Sequence, residues 1–406
     1  MCGIYGAFGR DIRESVLRDI REATRDRGRD GHGEQVYALR GASAVLGSNR
    51  GAPTPEPRRV EAQPYGGVIH NGTIANDREL GNPAGEVDSA VLPRVLRLDS
   101  LRAFADSLSA LRGSYALAAI GGDASTVYLA ANYKPLSYVS PDGGLTVYFA
   151  SMARHLVSAT PPYAAPVPLT PYSALDLATG EHIALPVRDG KRVVVVASAG
   201  LDSTTAAAML TAEGYEVRLL HFTYGCRAEG REAERIPRIA EALGATYEVL
   251  PLDYSAMKGA SPLLNRAADL AVGAAGAEYA HEWVPARNLV MIAHATAYAE
   301  ANGFHAVALG LNLEEGGAYP DNEERFVEAV DAALPYATQN GYRVRLLAPL
   351  ARMMKAEIVR AGLAVRAPYA LTWSCYRDGA RPCGACGPCF MRRAAFARCG
   401  ARDEAL

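Results

Sequence analysis

Up to about residue 160 the apolar positions come in short β-rich bursts separated by Gly, Asn and Asp turns, as in "GGVIHNGTIAN", "GSYALAAIGGDASTVYLAAN" and "GGLTVYFAS". Bursts of this kind, bounded by turn residues, predict strands. Helical periodicity interrupts them near residues 11–27 and 88–111, so the stretch predicts packed antiparallel sheets with flanking helices. The Pro-rich "ATPPYAAPVPLTPY" then changes the texture, and the pattern places a domain boundary near residue 190. Beyond it come strand "VVVVA", helix 202–213, strand "EVRLLHF", helix 230–243, strand "TYEVLPL", helix 286–302 and strand "AVALGL". Strands alternating with helices predict a parallel, doubly wound sheet, which takes its ligands at the carboxyl ends of its strands. The chain therefore reads as α/β with two domains, 2–185 and 191–406.

At 406 residues two cores are expected rather than one, and 49% hydrophobic with 21% charged residues suits ordinary globules. The formal net charge of -2 argues against a general nucleic-acid coat, so any RNA partner needs a local basic groove. No apolar run approaches the roughly 18 residues of a membrane span, and no basic stretch leading into an apolar one opens the chain. A cytoplasmic enzyme with no membrane partner is the expectation. Cys375, Cys383, Cys386 and Cys389, spaced C-x7-C-x2-C-x2-C, suit a metal in a reducing compartment better than a disulfide framework. Such a closed thiolate shell fits structural, tetrahedral Zn2+, with an iron–sulfur cluster as the alternative.

Cys2 stands beside the initiator Met1. If Met1 is removed, the thiol and a free α-amine share one carbon, and the amine supplies the base that a thiol nucleophile needs. "HNGTIAN" offers the side-chain amide of Asn71 and the backbone N–H of Gly72 as oxyanion donors, although "NG" alone reads as a hairpin turn. Arg50 and Asp88 are the charge types that grip the carboxylate and ammonium of an amino acid.

In this order, "CGI.G", "RG.DG.G", "HNG.I.N", "L.GSYALA" and "KPLSY" resemble the class II glutamine amidotransferase domain, an N-terminal-nucleophile hydrolase with an αββα sandwich. The resemblance implies that Cys2 attacks the amide of L-glutamine, that Asn71 and Gly72 form the oxyanion hole, and that Arg50 and Asp88 hold the substrate's ends.

In the second half, "VVVVASAGLDSTT" runs an apolar strand into a small, hydroxyl-rich loop that opens a helix, a cradle for phosphate built from backbone N–H groups and the hydroxyls of Ser198, Ser203 and Thr204. The GK[ST] ending of a γ-phosphate-transfer loop is absent. The loop resembles instead "SGG.DS" of enzymes that transfer AMP and release pyrophosphate, which implies that Ser198, Ala199, Gly200, Leu201, Asp202, Ser203 and Thr204 bind ATP with Mg2+. Ala199 replaces the usual Gly, a change tolerated unless the position needs positive φ. Together with "FTYGCR", "VPARNL", "YPDNEERF", "LARMMKAEIV" and the Cys-rich tail ending at Arg392, it resembles 7-cyano-7-deazaguanine synthase, an adenine nucleotide alpha hydrolase-like fold.

That resemblance implies adenylation of a carboxyl group on a 7-deazaguanine, displacement of AMP by ammonia, and a second activation that dehydrates the amide to a nitrile. It places Tyr224, Arg287, Asn288, Asp321 and Lys355 at the acceptor or phosphate site, with Asp321 and Glu324 available to a deazaguanine edge or Mg2+. "YGCRA" departs from the family's "YGQRH" at Cys226 and Ala228. An ammonia source joined to this domain resembles the proposed archaeosine synthases, in which ammonia adds to 7-cyano-7-deazaguanine already in tRNA. The expectation leans to tRNA, with the free 7-carboxy compound as the alternative acceptor and an asparagine synthetase-like activity as a distant one. A homo-oligomer is compatible with the sequence.

Overall fold

The computed structural model describes residues 2–52, 62–161, 164–185, 190–274, 282–338 and 344–405. The chain divides into two units, Met1–Arg188 with Pro335–Tyr342, and Asp189–Leu334 with Arg343–Leu406. Residues 186–189, next to the expected boundary, lie outside the described residues.

The first unit holds strands β1 (Gly3–Gly9), β2 (Gly31–Leu39), β3 (Ala42–Arg50), β4 (Val68–Ile74), β5 (Gly113–Ile120), β6 (Val127–Ala131), β7 (Ser137–Val139), β8 (Thr146–Ala150), β9 (Val167–Pro168), β10 (Ser173–Asp176) and β11 (His182–Ala184). They form two antiparallel sheets, ordered β2-β3-β1-β8-β7-β9 and β11-β10-β6-β5-β4. Side chains alternate faces along each strand. In β1, Ile4 and Phe8 enter a core shared with Ile69, Ala118 and Leu129 of the other sheet. Tyr5 and Ala7 point the opposite way, onto Leu17 and Ile20 of α1 (Glu14–Ala23). On the far side of the second sheet Leu117 and Tyr128 pack against Phe104 and Leu108.

The helical period over 88–111 is not one helix. A 3-10 turn, Asp88–Val91, leads into α2 (Leu92–Val95), and α3 (Leu101–Leu108) starts afresh. Leu96 is extended, and the Ser100 side chain accepts from the Ala103 N–H to cap α3, so a new helix start interrupts the pattern. Likewise the 11–27 period is α1 followed by a 3-10 turn, Thr24–Arg27.

The second unit holds β12 (Arg192–Val196), β13 (Glu216–Thr223), β14 (Thr246–Pro251), β15 (Ala306–Ala308) and β16 (Arg345–Leu347), all parallel and ordered β14-β13-β12-β15-β16. Its helices are α4 (Leu201–Ala212), α5 (Glu229–Leu243), α6 (Arg287–Ala301), α7 (Leu313–Gly316), α8 (Glu324–Ala337), α9 (Lys355–Ala364) and α10 (Gly387–Cys399). The order reverses at β12, the switch point where such sheets open a ligand crevice. Gly310 lets the chain after β15 close on the loop after β12, because a Cβ there would stand 2.6 Å from the Ser203 nitrogen.

Candidate active sites

In the first unit, register alone begins the site: β1 pairs with β3 through Gly3 and Asn49, so Cys2 and Arg50 lie side by side at the strand ends. Asn71 and Gly72 are not in a turn. They sit inside β4, opposite Ala116 and Tyr115 of β5. A Cβ on Gly72 would fall 1.9 Å from the Ser114 carbonyl oxygen, so close backbone packing, not a turn, requires glycine there. Asp88 reaches the same place, its carboxylate accepting from the Ile74 N–H at 2.6 Å and the Ser89 N–H at 2.8 Å.

Cys2, Arg50, Asn71, Gly72 and Asp88 line one cavity of about 120 Å3. The Asn71 side chain is fully buried, and neither its Nδ2 nor its Oδ1 has a hydrogen-bond partner among the described residues. A buried amide normally finds partners, so an orphaned one facing a cavity points to a ligand. Burial raises the Cys2 thiol above its ordinary value, opposed by a backbone hydrogen bond from Gly51 and the charge of Arg50. Met1, on whose removal the amine base depends, lies outside the described residues. Lys134 and His70 also line this cavity and were not singled out by the sequence. His70 is buried between Ser89 and the Ser114 carbonyl, and burial lowers its pKa. Lys134 was visible only as part of "KPLSY".

In the second unit a cavity of about 240 Å3 opens at the carboxyl ends of β12, β13 and β15. Ser198, Gly200, Leu201, Asp202 and Ser203 line it around the N-terminus of α4, a position suited to an anion. The Ser203 hydroxyl accepts from the Ser198 N–H at 3.3 Å and holds the loop's shape. Tyr224, Arg287, Asn288 and Lys355 line the same cavity. Arg287 donates to the Tyr224 hydroxyl at 3.4 Å. Lys355, at the start of α9, is pinned between Asp202 of α4 and Glu315 of α7, the latter at 2.8 Å. Burial opposes its charge, yet the two carboxylates raise the Lys355 pKa well above the ordinary value.

The third assembly is Cys375, Cys383, Cys386 and Cys389, whose sulfurs all lie within 4.8 Å of one another, a group able to hold a metal ion. Backbone N–H groups of Arg377 and Cys383 donate to the Cys375 sulfur at 3.3 Å. Hydrogen bonds from Cys386 and Cys389 pull the Cys375 thiol far below its ordinary value, while Cys386 is pushed up to about 11.

A family profile described as "Queuosine biosynthesis protein QueC" matches residues 192–400. A 7-cyano-7-deazaguanine synthase of Sulfolobus acidocaldarius is 40% identical over 408 residues, covering 91% of this chain and 86% of that one. The chain belongs to the QueC family. A second QueC relative of the same name, from Saccharolobus solfataricus, is 38% identical and covers 96% of this chain and 95% of its own. A shorter one, from Methanothrix thermoacetophila, is 40% identical, covering 52% of this chain and 96% of itself. QueC relatives thus occur at both lengths.

Some expected residues of the QueC unit stand elsewhere. Thr204 is buried in α4, off the cavity wall, because the helix turns its side chain inward. Asp321 is also off the wall, where it accepts from the Asn288 N–H at 3.4 Å. Glu324 is half-exposed and paired with Arg352 at 2.6 Å, a surface contact. Ala199 is likewise off the wall, and its φ is +53°, so the position does need the left-handed conformation. The loop carrying Cys226 lines the cavity. Glu232, Glu315, Arg392 and His221 line it too. Only tertiary packing brings Glu232 and Glu315 to the cavity, since both lie in ordinary acidic helix starts. Among the described residues no helix is long and apolar enough to cross a membrane.

Proposed function

We propose that this QueC-family chain is a glutamine-fed synthase that uses ATP to convert the carboxyl group of free 7-carboxy-7-deazaguanine into an amide and then a nitrile. One observation carries the reading: Cys2, Arg50, Asn71, Gly72 and Asp88, far apart in sequence, line one cavity around an orphaned buried amide, in a chain whose other unit is a QueC domain. The two antiparallel sheets sharing a core between helical layers support an N-terminal-nucleophile hydrolase for that unit.

In this reading the Cys2 thiol attacks the glutamine amide. Burial keeps the thiol protonated at rest, so the α-amine freed by loss of Met1 takes its proton at the moment of attack. Asn71 Nδ2 and the Gly72 N–H receive the oxyanion, while Arg50 and Asp88 hold the α-carboxylate and α-ammonium. In the QueC unit the phosphates of ATP, as its Mg2+ complex, sit at the start of α4 with Ser198 and Ser203. The substrate carboxylate attacks the α-phosphorus, pyrophosphate leaves, and ammonia displaces AMP. A second ATP activates the amide oxygen and the nitrile follows. Cys375, Cys383, Cys386 and Cys389 would hold a structural Zn2+: Zn–S bonds of about 2.3 Å need sulfurs about 3.8 Å apart, and Cys375 and Cys386 stand 3.9 Å apart.

The retained AMP-transfer loop, and the similarity along both units to proteins named 7-cyano-7-deazaguanine synthase, favour the free acid over tRNA. Addition of ammonia to a nitrile needs no adenylation. The test supplies amide-15N glutamine, ATP and either the free acid or tRNA bearing 7-cyano-7-deazaguanine, with products weighed by mass spectrometry. Label in free nitrile with matching AMP is expected; label confined to formamidine in tRNA overturns the reading. Cys2→Ala should lose at least about 100-fold of glutamine-driven turnover and keep turnover driven by ammonium chloride.

A further inference from the structure

Four carboxylates line the QueC cavity: Asp202 and Glu315 are held by Lys355, Glu282 lies against Tyr319, and the fourth is Glu232. Glu232, in the first turn of α5, lines the same cavity, and its carboxylate makes no hydrogen bond or ion pair among the described residues. It faces Arg287 from α6, Tyr224 and Cys226 from the loop after β13, and Glu229 on its own helix. Its carboxylate is partly withdrawn from water and balanced only in part by the charge of Arg287, a costly placement that asks for a task.

The proposed reaction, on which this inference rests, names one. Nitrogen enters as ammonia with three hydrogens and ends as a nitrile with none. One proton leaves it when ammonia displaces the first AMP. Two more leave when the adenylated amide breaks its C–O bond, forms C≡N and releases the second AMP. No electrons are exchanged with an oxidant or reductant, so the requirement is for a base beside the acyl carbon.

We propose that Glu232 is that general base, taking the nitrogen's protons and returning them to solvent between steps. Asp202 and Glu315 are unsuited because both are ion-paired to Lys355, and Glu282 because it is packed against Tyr319. Burial raises the Glu232 carboxyl to about 7, where it is half deprotonated at neutral pH and able to cycle.

The experiment uses the full chain with ammonium chloride in place of glutamine, so the Cys2 site plays no part. Exchange of labelled pyrophosphate into ATP, dependent on the free acid, reports adenylation, and mass spectrometry follows amide and nitrile. For Glu232→Gln, exchange should stay within about twofold of wild type while amide and nitrile formation falls about 100-fold. With total ammonium adjusted so that free NH3 is the same at every pH, wild-type transfer should rise tenfold per pH unit until about pH 7, and Glu232→Gln should lose that limb. Glu232→Asp should recover part of the rate and the limb. Exchange and transfer falling together, or transfer unchanged, overturns the assignment. A wild-type chain that gives no exchange with the free acid overturns the function itself, and the role of Glu232 with it.

Discussion

Ala199 holds φ at +53° and is almost fully buried. An L-residue pays roughly 1 kcal/mol for that conformation, which glycine does not. Ala199→Gly should therefore leave the chain as stable or up to about 1 kcal/mol more so, and Ala199→Val should destabilise it by more than about 1 kcal/mol, both read by denaturant unfolding. Asn71 offers a sharper separation of fold from function. Its amide has no hydrogen-bond partner to lose among the described residues, so Asn71→Leu, close in volume, should change stability by less than about 1 kcal/mol. Glutaminase turnover should nevertheless fall about 100-fold with the oxyanion donor gone. A variant that unfolds in step with its loss of turnover would show a structural amide instead.

Among the elements, Lys355 joins three helices through Asp202 and Glu315. Its raised pKa means that the stabilisation is complete below pH 10.5 and lost only as the pH climbs through the folded value. Lys355→Met leaves two partly exposed carboxylates without their shared cation, a loss of roughly 1–3 kcal/mol at pH 8 once solvent screening is allowed for. Protonating a carboxylate relieves the repulsion, so the deficit should shrink by pH 5; urea unfolding at the two pH values checks the sign. The strands and helices around this site were legible because apolar periodicity is strong in buried parallel strands such as "VVVVA". The 88–111 region was misread because two adjoining helical periods look continuous when the extended Leu96 and the Ser100 cap between them leave no gap in apolar spacing. "NG" belongs to a strand because β5 lies close enough to exclude any side chain at Gly72, and no local sequence rule contains that distance.

At the level of the whole molecule, each unit has cores of its own. Units built this way unfold as separate transitions. Calorimetry should show two, and a chelator should lower only the one belonging to the QueC unit, because Cys375, Cys383, Cys386 and Cys389 all lie in it. Glutaminase turnover should survive the chelator. A chelator that moves neither transition would remove the structural metal.

Sequence alone determined what depends on neighbours along the chain. It named the α/β pattern, the loop entering α4, the Cys spacing, and the residues Cys2, Arg50, Asn71, Gly72 and Asp88 as candidates. Packing decided what those residues meet. It gathered the Cys2 group into one cavity and left the Asn71 amide without a partner. It tied Lys355 to two carboxylates and drew Asp321 and Glu324 away from the QueC cavity. It also placed Glu232, one acidic residue among many in the sequence, on the cavity wall, with no ion pair among the described residues. Burial and unpaired charge are properties of contacts between distant segments, and the chain acquires them only when it folds.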